Sequence, residues 1–262
     1  MDISVIIVNY ATPRLTRECV ESIRKQTAPE IKYEIIIVDN ASPDGSGPLL
    51  QAELTAPDCT VILNPRNDGF GGANNIGIAR ATGEYLFLLN SDTILLNDAL
   101  GIFLRRAREY PGRLGCAGAL MLSRDLTPQI SSRPLPSGWR IIWGTLSGYF
   151  SRYVLRRSYS HTTQRFPEGC DTMKVGYVWG ADMFVPASVL REVGCFDTDY
   201  FMYFEETDLQ CRMRNAGYDR VLFREPEIIH LGGGSSHSMR RFKAYYRSMW
   251  LYIRKHRLFT PF

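Results

Sequence analysis

The stretch Glu84-Tyr-Leu-Phe-Leu-Leu-Asn-Ser-Asp92 indicates which fold the chain adopts. Its mostly apolar residues, Tyr85 to Leu89, predict a strand that is buried on both faces of a sheet. Asn90, Ser91 and Asp92 would then project from the carboxyl edge of that sheet, where open α/β sheets bind ligands. An amide and a carboxylate there can supply oxygen ligands to a hard divalent cation. The same three residues also suit a turn and a helix N-cap, so both interpretations stay open here.

Three further strands precede this stretch, and each ends in polar residues. They are Ile3 to Val8, followed by Asn9-Tyr10; Tyr33 to Val38, followed by Asp39-Asn40; and Thr60 to Leu63, followed by Asn64-Pro65. Apolar residues at helical spacing after Pro13 separate the first two strands. Alternating strands and helices predict an α/β fold with a parallel sheet. Right-handed crossovers would gather four side chains along one sheet edge, namely Tyr10, Asp39, Asn67 and Asp92.

The composition is that of an ordinary globular protein of 262 residues, with 45% hydrophobic and 22% charged residues. The net charge of +4 is unevenly distributed, because residues 228–262 hold seven Lys or Arg residues and no acid. A nucleic-acid binder should spread its positive charge over a docking face, so the sequence argues against that class. The six cysteines have no metal-like spacing, and no apolar run reaches membrane-spanning length. A cytoplasmic protein that is not integral to a membrane is predicted.

Three features near the predicted edge suit ligand binding. Asp39 could accept a hydrogen bond from a nucleotide base or ribose, and Tyr10 could stack on the base; a plain turn is the alternative for both. Asn67-Asp-Gly-Phe-Gly-Gly-Ala-Asn-Asn-Ile-Gly77 is a glycine-rich loop that opens a helix predicted from Ile76 to Ala81. Such a loop can approach a phosphate, or it can serve as a tight turn with close helix packing. His230 follows an apolar pair and suits either a metal or phosphate site or a structural role.

The second half of the chain is less regular. Residues 123–172 show no clear period and predict a loop with short helices, whereas Lys174 to Val185 predicts one or two strands. Pro186 then starts a short helix that runs through Val193.

A helix that begins with acidic residues is predicted after the aromatic run Phe201 to Phe204. Glu205, Glu206 and Asp208 crowd its first turn, and Gly217 suits its C′ position. The acids could simply favour the helix macrodipole, with Asp208 pairing Arg212 four residues later. A carboxylate beside the aromatic wall would instead have its charged form disfavoured, as a general base often requires.

With these motifs in this order and spacing, the chain resembles the inverting family 2 glycosyltransferases of the GT-A type. Within that family it resembles the bacterial rhamnosyltransferase-like branch. The resemblance covers about residues 3–235, from Ser4-Val-Ile-Ile-Val-Asn-Tyr10 to Phe201-Met-Tyr-Phe-Glu-Glu-x-Asp-Leu209. It implies a GT-A fold with a single Rossmann-like, mostly parallel sheet flanked by helices. Residues 1–122 would form the nucleotide-sugar-binding half and residues 123–235 the acceptor half. Residues 236–262 would add a basic amphipathic C-terminal helix.

The resemblance also implies a role for individual residues. Asp39 would read the base, Asp92 would hold Mg²⁺ or Mn²⁺ on the donor diphosphate with His230 nearby, and Glu206 would deprotonate the acceptor. The implied donor-binding set is Val8, Asn9, Tyr10, Asp39, Asn67, Gly71, Asn74, Asn90, Ser91 and Asp92. The implied acceptor and sugar pocket is Trp179, Gly180, Ala181, Glu205 and Arg212. The implied reaction is one in-line displacement at the anomeric carbon.

Two departures from the family pattern matter. The family often has Asp as the second acid of the pair, whereas this chain has Glu206, so Glu205 or Asp208 is an alternative base. The metal motif is Asn-Ser-Asp instead of Asp-x-Asp, which leaves Asp92 as its only anionic ligand.

The basic tail forms its own prediction. Phe242, Tyr245, Tyr246, Met249 and Ile253 recur at helical spacing among Arg and Lys residues, as in helices that lie on membrane surfaces. The sequence predicts such contact for residues 239–257, with the protein peripheral on the inner face of the cytoplasmic membrane. We also expect the core to stay folded without residues 239–262. The alternative is a helix packed on the core with its basic face in solvent.

The leading hypothesis is transfer of a sugar from a nucleoside diphosphate sugar, with dTDP-L-rhamnose favoured and a UDP-sugar as the alternative. The acceptor would be a bacterial polysaccharide or lipid-linked glycan of the cell envelope, such as an O-antigen intermediate. A sugar-nucleotide pyrophosphorylase would need a glycine-rich, basic loop after the first strand, and Asn9-Tyr-Ala-Thr-Pro13 is not one. A non-catalytic nucleotide- or carbohydrate-binding protein is the remaining alternative.

Overall fold

The computed structural model of the chain describes residues 1–138, 164–232 and 239–258, with side chains from residue 242 onward in the last range. Its central sheet has eight strands in the order β3-β2-β1-β4-β10-β6-β11-β8. These strands are β1 (Ile3–Asn9), β2 (Tyr33–Asp39), β3 (Cys59–Leu63), β4 (Tyr85–Asn90), β6 (Leu114–Ala119), β8 (Thr172–Lys174), β10 (Asp182–Pro186) and β11 (Asp219–Phe223). The α/β architecture with a large central sheet confirms the fold class expected from the sequence.

The first four strands of the sheet run parallel, and helices connect them. These helices are α1 (Pro13–Gln26), α2 (Ser46–Leu54) and α3 (Gly69–Arg80). In the pairing of β1 with β2, Asn9 lies opposite Asp39, and in the pairing of β1 with β4, Val8 lies opposite Asn90. The polar residues at the ends of three strands therefore share one edge, as the sequence predicted.

The second half of the sheet begins with an antiparallel strand. β10 lies between β4 and β6 and runs antiparallel to both. β11 then pairs parallel with β6, and β8 adds an antiparallel edge strand. Four of the seven pairings are thus parallel. Because β10 reverses direction, the Gly180-Ala181 segment that precedes it lies beside the carboxyl end of β4.

Two small sheets lie beside the central one. β5 (Thr93–Leu95) pairs with β12 (Ile228–His230), and β7 (Ser132–Arg133) pairs with β9 (Tyr177–Val178). The region predicted as one or two strands therefore holds three short ones, the first beginning at Thr172. Of the segment 123–172 predicted as a loop, residues 139–163 lie outside the described residues, and β7 lies within the rest.

Helices cover both faces of the sheet. On one face α1, α2 and α4 (Ala99–Arg108) pack on a cluster that includes Ile7, Phe87 and Phe103. On the other face α3, α5 (Ala187–Val193) and α6 (Glu205–Asn215) pack on a cluster that includes Leu88 and Leu209. Burial on both faces explains why the central strands are continuous apolar runs.

The start of α3 differs from the prediction. The helix begins at Gly69, seven residues before the predicted start at Ile76. Glycine disfavours a helix interior, so propensity alone places the glycine-rich residues in a loop. In the structure these residues are helical, and their backbone packs closely against Phe196 and Phe201.

The last helix, α7 (Met239–Lys255), packs against the body of the protein. Met249, Tyr252 and Ile253 are buried with Tyr200 and Phe204 in a third apolar cluster. Of the apolar face that the sequence assigned to a membrane, Met249 and Ile253 are used for core packing, whereas Phe242 and Tyr245 stay exposed. Each fully buried side chain of this size contributes about 1.5–3 kcal/mol, so removal of residues 239–262 is expected to destabilise the core. Among the described residues, no helix is long and apolar enough to cross a membrane.

Candidate functional site

The edge at which β1, β2 and β4 end is organised around Asn9. Its buried side-chain amide donates to Asp39 Oδ1 at 2.6 Å and to Ser46 Oγ at 3.1 Å. Its side-chain oxygen accepts from Thr16 Oγ1 at 2.9 Å. Both ends of Asn9 are thus used inside the protein, and Asn9, predicted to bind the donor, orients Asp39.

Asp39, at the end of β2, is buried and held by hydrogen bonds. Its carboxylate accepts from Ser42 Oγ at 2.5 Å and from Ser42 N at 3.1 Å, and the residue is 4% exposed. A Cβ at Gly47 would lie 2.5 Å from Asp39 Oδ2, so this glycine leaves room beside the carboxylate. Tyr10, directly after the neighbouring strand β1, is 49% exposed. A planar base that stacks on Tyr10 could therefore approach Asp39, whereas the partly buried Val8 packs on the core.

Asn40 joins this edge to the glycine-rich segment, a role that the sequence analysis missed. Its amide donates to Asn67 Oδ1 at 2.9 Å and to the carbonyl of Gly69 at 3.1 Å. Its side-chain oxygen accepts from Asn64 Nδ2 at 3.0 Å and from Asp68 N at 3.1 Å. Asn67 is therefore a structural partner of Asn40, and the only signal in the sequence was an amide directly after a buried strand.

The start of α3 is occupied by protein contacts. Asn67 Oδ1 accepts from Gly69 N at 3.0 Å, and the carbonyl of Phe201 accepts from Phe70 N at 3.1 Å. Gly69 has φ +77°, and a Cβ there would overlap the carbonyl oxygen of Phe201. These N–H groups are therefore not free to bind a phosphate. The geometry favours the alternative interpretation of this segment, a tight turn with close packing.

Gly71 and Asn74, both predicted to bind the donor, also face the protein. A Cβ at Gly71 would lie 2.9 Å from Phe196 Cβ, and the buried Asn74 donates to the carbonyl of Phe70 at 3.0 Å. Asn75, which the sequence analysis did not single out, donates to the carbonyl of Phe196 at 2.8 Å and accepts from its N–H at 3.0 Å. α3 thus holds the segment that leads to the acidic residues.

Asp92 and His230 meet where β5 pairs with β12. His230 Nε2 lies 3.3 Å from Asp92 Oδ1, and Leu231 N donates to the carbonyl of Asp92 at 2.8 Å. Burial raises the pKa of Asp92, but the hydrogen bond and charge of His230 outweigh it and hold the pKa below its ordinary value. The other predicted members lie beside them: Ser91 Oγ is 3.1 Å from Thr12 Oγ1, and Asn90 N donates to the carbonyl of Ala181 at 2.9 Å.

The Asp92–His230 corner fits a divalent cation only if other ligands complete its coordination. No group of three His, Cys, Asp or Glu residues suited to a metal occurs in the described part of the chain. Mg²⁺ and similar cations often take one or two protein ligands and fill the rest of their shell with substrate phosphates and water. Asp92 and His230 are such a pair, and His230 Nδ1 is buried with no hydrogen-bond partner in the structure.

The two glutamates begin α6 immediately after an unusual turn. Tyr203 and Phe204 both have φ +68°, a left-handed conformation that costs non-glycine residues free energy. Glu205 is 4% exposed, and one carboxyl oxygen of each glutamate is buried without a hydrogen-bond partner. Packing around the turn must therefore hold the acids in a poorly solvated position.

Burial raises the pKa of both Glu205 and Glu206. The charge of Glu206 raises the pKa of Glu205 further, so we expect Glu206 to ionise before Glu205. Gly180 packs against Phe70 and Glu206. A Cβ added at Gly180 would lie 3.5 Å from Phe70 Cε1 and 3.6 Å from both Cβ and Cγ of Glu206. The predicted pocket residues Gly180 and Glu205 thus adjoin Glu206.

Asp208 and Arg212 form a structural network. Asp208 accepts from Arg212 Nε at 2.9 Å and is 2.8 Å from Nε2 of His256, the residue directly after the last helix. The other nitrogens of Arg212 donate to the carbonyls of Val193, Gly194 and Cys195. The structure confirms the pairing of Asp208 with Arg212 four residues later. It gives Asp208 no free oxygen for a base, and it gives Arg212 a bracing role instead of the predicted place in the sugar pocket.

Two residues near Glu206 were not singled out from the sequence. Tyr177 lies in β9 opposite Arg133 of β7. Burial and the charge of Glu206 raise the pKa of Tyr177 to about 12, while the charge of Arg133 lowers it. The guanidinium of Arg133 stands 5.9 Å from the ring centre of Trp179, a predicted pocket residue. Arg133 lies in a segment without a clear period, and nothing in the stretch predicted as strands from Lys174 to Val185 distinguished Tyr177.

Comparison with known proteins identifies the family of the chain. The family model described as "Glycosyl transferase family 2" matches residues 4–151. The chain is 26% identical over 215 residues to an N-acetylglucosaminyl-diphospho-decaprenol L-rhamnosyltransferase of Mycobacterium tuberculosis. That alignment covers 78% of this chain and 68% of the relative.

Solved structures agree with the fold. The mannosyltransferase PcManGT from Pyrobaculum calidifontis, in complex with GDP-Man and Mn²⁺, superposes with a TM-score of 0.63 at 18% identity. GalNAc-T7 with UDP, GalNAc and Mn²⁺ superposes with a TM-score of 0.66 at 16% identity. They match 96% and 95% of this chain, which spans 64% and 48% of their lengths. Both neighbours have the GT-A fold.

Proposed function

The chain belongs to glycosyl transferase family 2, and from this premise we propose that it transfers a sugar from a nucleoside diphosphate sugar to a hydroxyl with inversion at the anomeric carbon. The observation that carries the proposal is the carboxyl edge of the central sheet, where β2 ends at Asp39 and Asp92 follows the end of β4. His230, from the small sheet of β5 and β12, contacts Asp92 there at 3.3 Å. The ionisable Glu206 stands beside Gly180 on the neighbouring segment. In such an arrangement, one set of residues binds the nucleotide and the diphosphate, and a separate residue acts as the base for the acceptor hydroxyl.

Asp39 and Tyr10 take the nucleotide base in this proposal. The carboxylate of Asp39 accepts a hydrogen bond from the base or ribose, and the exposed ring of Tyr10 stacks on the base. Asn9 and Ser42 fix the carboxylate by hydrogen bonds of 2.6 and 2.5 Å, so little ordering is needed when the donor binds. Asn90 and Ser91 would approach the diphosphate.

Asp92 and His230 would hold Mg²⁺ or Mn²⁺ together with the donor diphosphate. When bound, the cation neutralises the negative charge that builds on the departing nucleoside diphosphate. The Mn²⁺ in both solved neighbours supports a divalent cation without deciding between the two metals.

Glu206 acts as the base. Its carboxylate removes the proton from the acceptor hydroxyl while the oxygen forms a bond to the anomeric carbon and the bond to the diphosphate breaks on the opposite side. The buried oxygen of Glu206 without a hydrogen-bond partner can receive that proton. Asp208 cannot substitute for it while it is bound to Arg212 and His256.

For the substrates we favour dTDP-L-rhamnose as donor and a lipid-linked or polysaccharide glycan of the bacterial envelope as acceptor. The Mycobacterium tuberculosis relative is named as an L-rhamnosyltransferase that acts on a diphospho-decaprenol acceptor, which supports this choice. A UDP-sugar donor is the alternative within the same chemistry.

We also propose that the protein binds peripherally to the cytoplasmic membrane through the outer face of α7. Lys243, Arg247, Trp250 and Arg254 lie on that face, and Trp250 is 65% exposed. Exposed aromatic and basic side chains together favour an anionic lipid surface. The sequence had suggested Met249 and Ile253 for membrane contact, but both are buried, so we assign the contact to the outer face instead.

A panel of nucleotide sugars, with and without Mn²⁺ or Mg²⁺, tests the proposal. We expect one donor class to raise the unfolding temperature only with metal, and Asp92→Ala to lose this effect. Incubation of that donor with a lipid-linked acceptor should release the nucleoside diphosphate and form the inverted glycoside. If a donor binds and no acceptor of either class is glycosylated, the non-catalytic alternative is favoured.

A further inference from the structure

An unpaired cation stands on the acceptor side of the two glutamates. Arg133 is exposed and makes no ion pair with any carboxylate in the described ranges. It lies opposite Tyr177 in the pairing of β7 with β9, so both side chains share one face of that small sheet. Trp179 follows β9, and its ring centre lies 5.9 Å from the guanidinium of Arg133. The charges of both Arg133 and Glu206 act on Tyr177, which places the cation near the base without a contact that neutralises it.

A line of aromatic rings continues outward from Arg133 along α7. The charge of Arg133 also acts on Tyr245, which is 42% exposed. The ring centre of Tyr245 is 5.5 Å from that of Tyr246, which is 4.5 Å from that of Phe242. Phe242 is 58% exposed. An exposed cation at one end and exposed rings beyond it match a ligand with an anionic head and an apolar chain.

We propose that Arg133 binds the phosphate of a lipid-linked acceptor, and that Tyr245, Tyr246 and Phe242 contact its apolar chain. The inference rests on the proposed transfer and names residues that would orient its acceptor. With its guanidinium over Trp179, Arg133 presents a planar set of donors to phosphate oxygens. The sugar attached to that phosphate then lies next to Glu206, where its hydroxyl is deprotonated. A glycan without a phosphate gains nothing from Arg133.

Two probes separate the phosphate from the rest of the acceptor. One carries N-acetylglucosamine on a short prenyl chain through a diphosphate, and the other carries the same sugar and chain through an ether. The variants are Arg133→Gln, Arg133→Lys and, as a control for lost charge, Arg124→Gln, an exposed arginine on the preceding loop. Calorimetry in EDTA without donor measures acceptor binding by itself, so the result does not depend on turnover.

We expect Arg133→Gln to weaken binding of the diphosphate probe at least tenfold and to leave the ether probe within twofold. Arg133→Lys should lie between, and Arg124→Gln should match the wild type. In transfer assays, Arg133→Gln should raise KM for the diphosphate acceptor and leave kcat within twofold.

Equal losses with both probes would overturn the inference, since Arg133 would then only shape the pocket through Trp179. Equal binding of the two probes by the wild-type protein would overturn it too. Absence of transfer alongside the expected binding pattern would count against the proposed function and leave the Arg133 assignment supported.

Discussion

His256 Nε2 lies 2.8 Å from Asp208 Oδ1, and this contact ties the last helix to the helix that begins with Glu205 and Glu206. Arg212 Nε holds the other oxygen of Asp208 at 2.9 Å. Tyr252 and Phe204 pack beside this contact, with ring centres 5.4 Å apart. The last helix therefore braces the left-handed turn at Tyr203 and Phe204 that positions both acids.

Replacement of His256 by Gln should destabilise the protein in a pH-dependent way. Burial lowers the pKa of His256, but Asp208 and Cys211 outweigh it and raise the pKa to about 9. Because this folded-state pKa exceeds the ordinary value of 6.5, the stabilisation is complete below about pH 6.5 and is lost as the pH rises through about 9. Cys211 also faces the imidazole: burial raises the pKa of this thiol, but the hydrogen bond and charge of His256 outweigh it and hold the pKa below its ordinary value. Denaturant titration should show a loss of about 2 kcal/mol at pH 6 that shrinks by pH 9.5.

The control is Arg254→Gln, which removes an exposed positive charge two residues before His256. A difference between wild type and His256→Gln that stays constant from pH 6 to pH 9.5 would show that the ion pair is not the source of the stabilisation.

Replacement of Gly69 by Ala should disturb the site from a distance. Gly69 has φ +77°, and a Cβ there would overlap the carbonyl of Phe201. Gly45 also has φ +77°, but a Cβ there would meet nothing within 4 Å. Gly45→Ala therefore costs only the backbone strain, about 1 kcal/mol, whereas Gly69→Ala adds a clash and should cost about 3 kcal/mol or more. Urea unfolding of the two variants measures the difference, and equal costs would contradict the close-packing role of Gly69.

The sequence predicted the strands well because β1, β2 and β4 are long apolar runs with buried faces, and their polar ends had to share an edge. It placed the start of α3 too late, because only contacts with Phe196 and Phe201 explain a helix that begins in glycines. The i, i+4 spacing indicated the pairing of Asp208 with Arg212. Nothing local indicated His256, which is 48 residues away from Asp208 in the chain.

The same limit applies to the candidate site. Asp39, Asp92 and Glu206 could be named because each follows a recognisable run of apolar or aromatic residues. Arg133 could not, since it lies in a two-residue strand whose position depends on pairing with Tyr177. Short strands that are stabilised by tertiary contacts carry almost no periodic signal.

Glutamine substitutions should distinguish the two glutamates. In Glu206→Gln the base is lost, so kcat should fall by about 10²–10⁴-fold while donor-induced stabilisation stays. Burial and the charge of Glu206 raise the pKa of Glu205, so we expect Glu205 to stay protonated. Glu205→Gln then resembles the native state and should remain within about tenfold of wild-type kcat. Since burial raises the pKa of Glu206, transfer should increase with pH through a value above the ordinary range for Glu. The opposite ranking of the two variants would assign the base to Glu205.

Membrane binding, if it uses the outer face of α7, should depend on charge and on Trp250 with no loss of fold. Each basic residue near an anionic surface contributes about 1 kcal/mol. A triple variant that combines Lys243→Gln, Arg247→Gln and Arg254→Gln should therefore bind phosphatidylglycerol vesicles roughly 100-fold more weakly. Trp250→Ser should weaken binding with less dependence on salt, because its contribution is apolar. Leu126→Ser, at a 57% exposed site in another loop, is the matched control. Sedimentation with vesicles measures all of these, and unfolding temperatures near the wild-type value establish that the core is intact. If the triple variant sediments like the wild type, the face that contacts lipid is not this one, and the basic stripe of α7 is only a solvated surface.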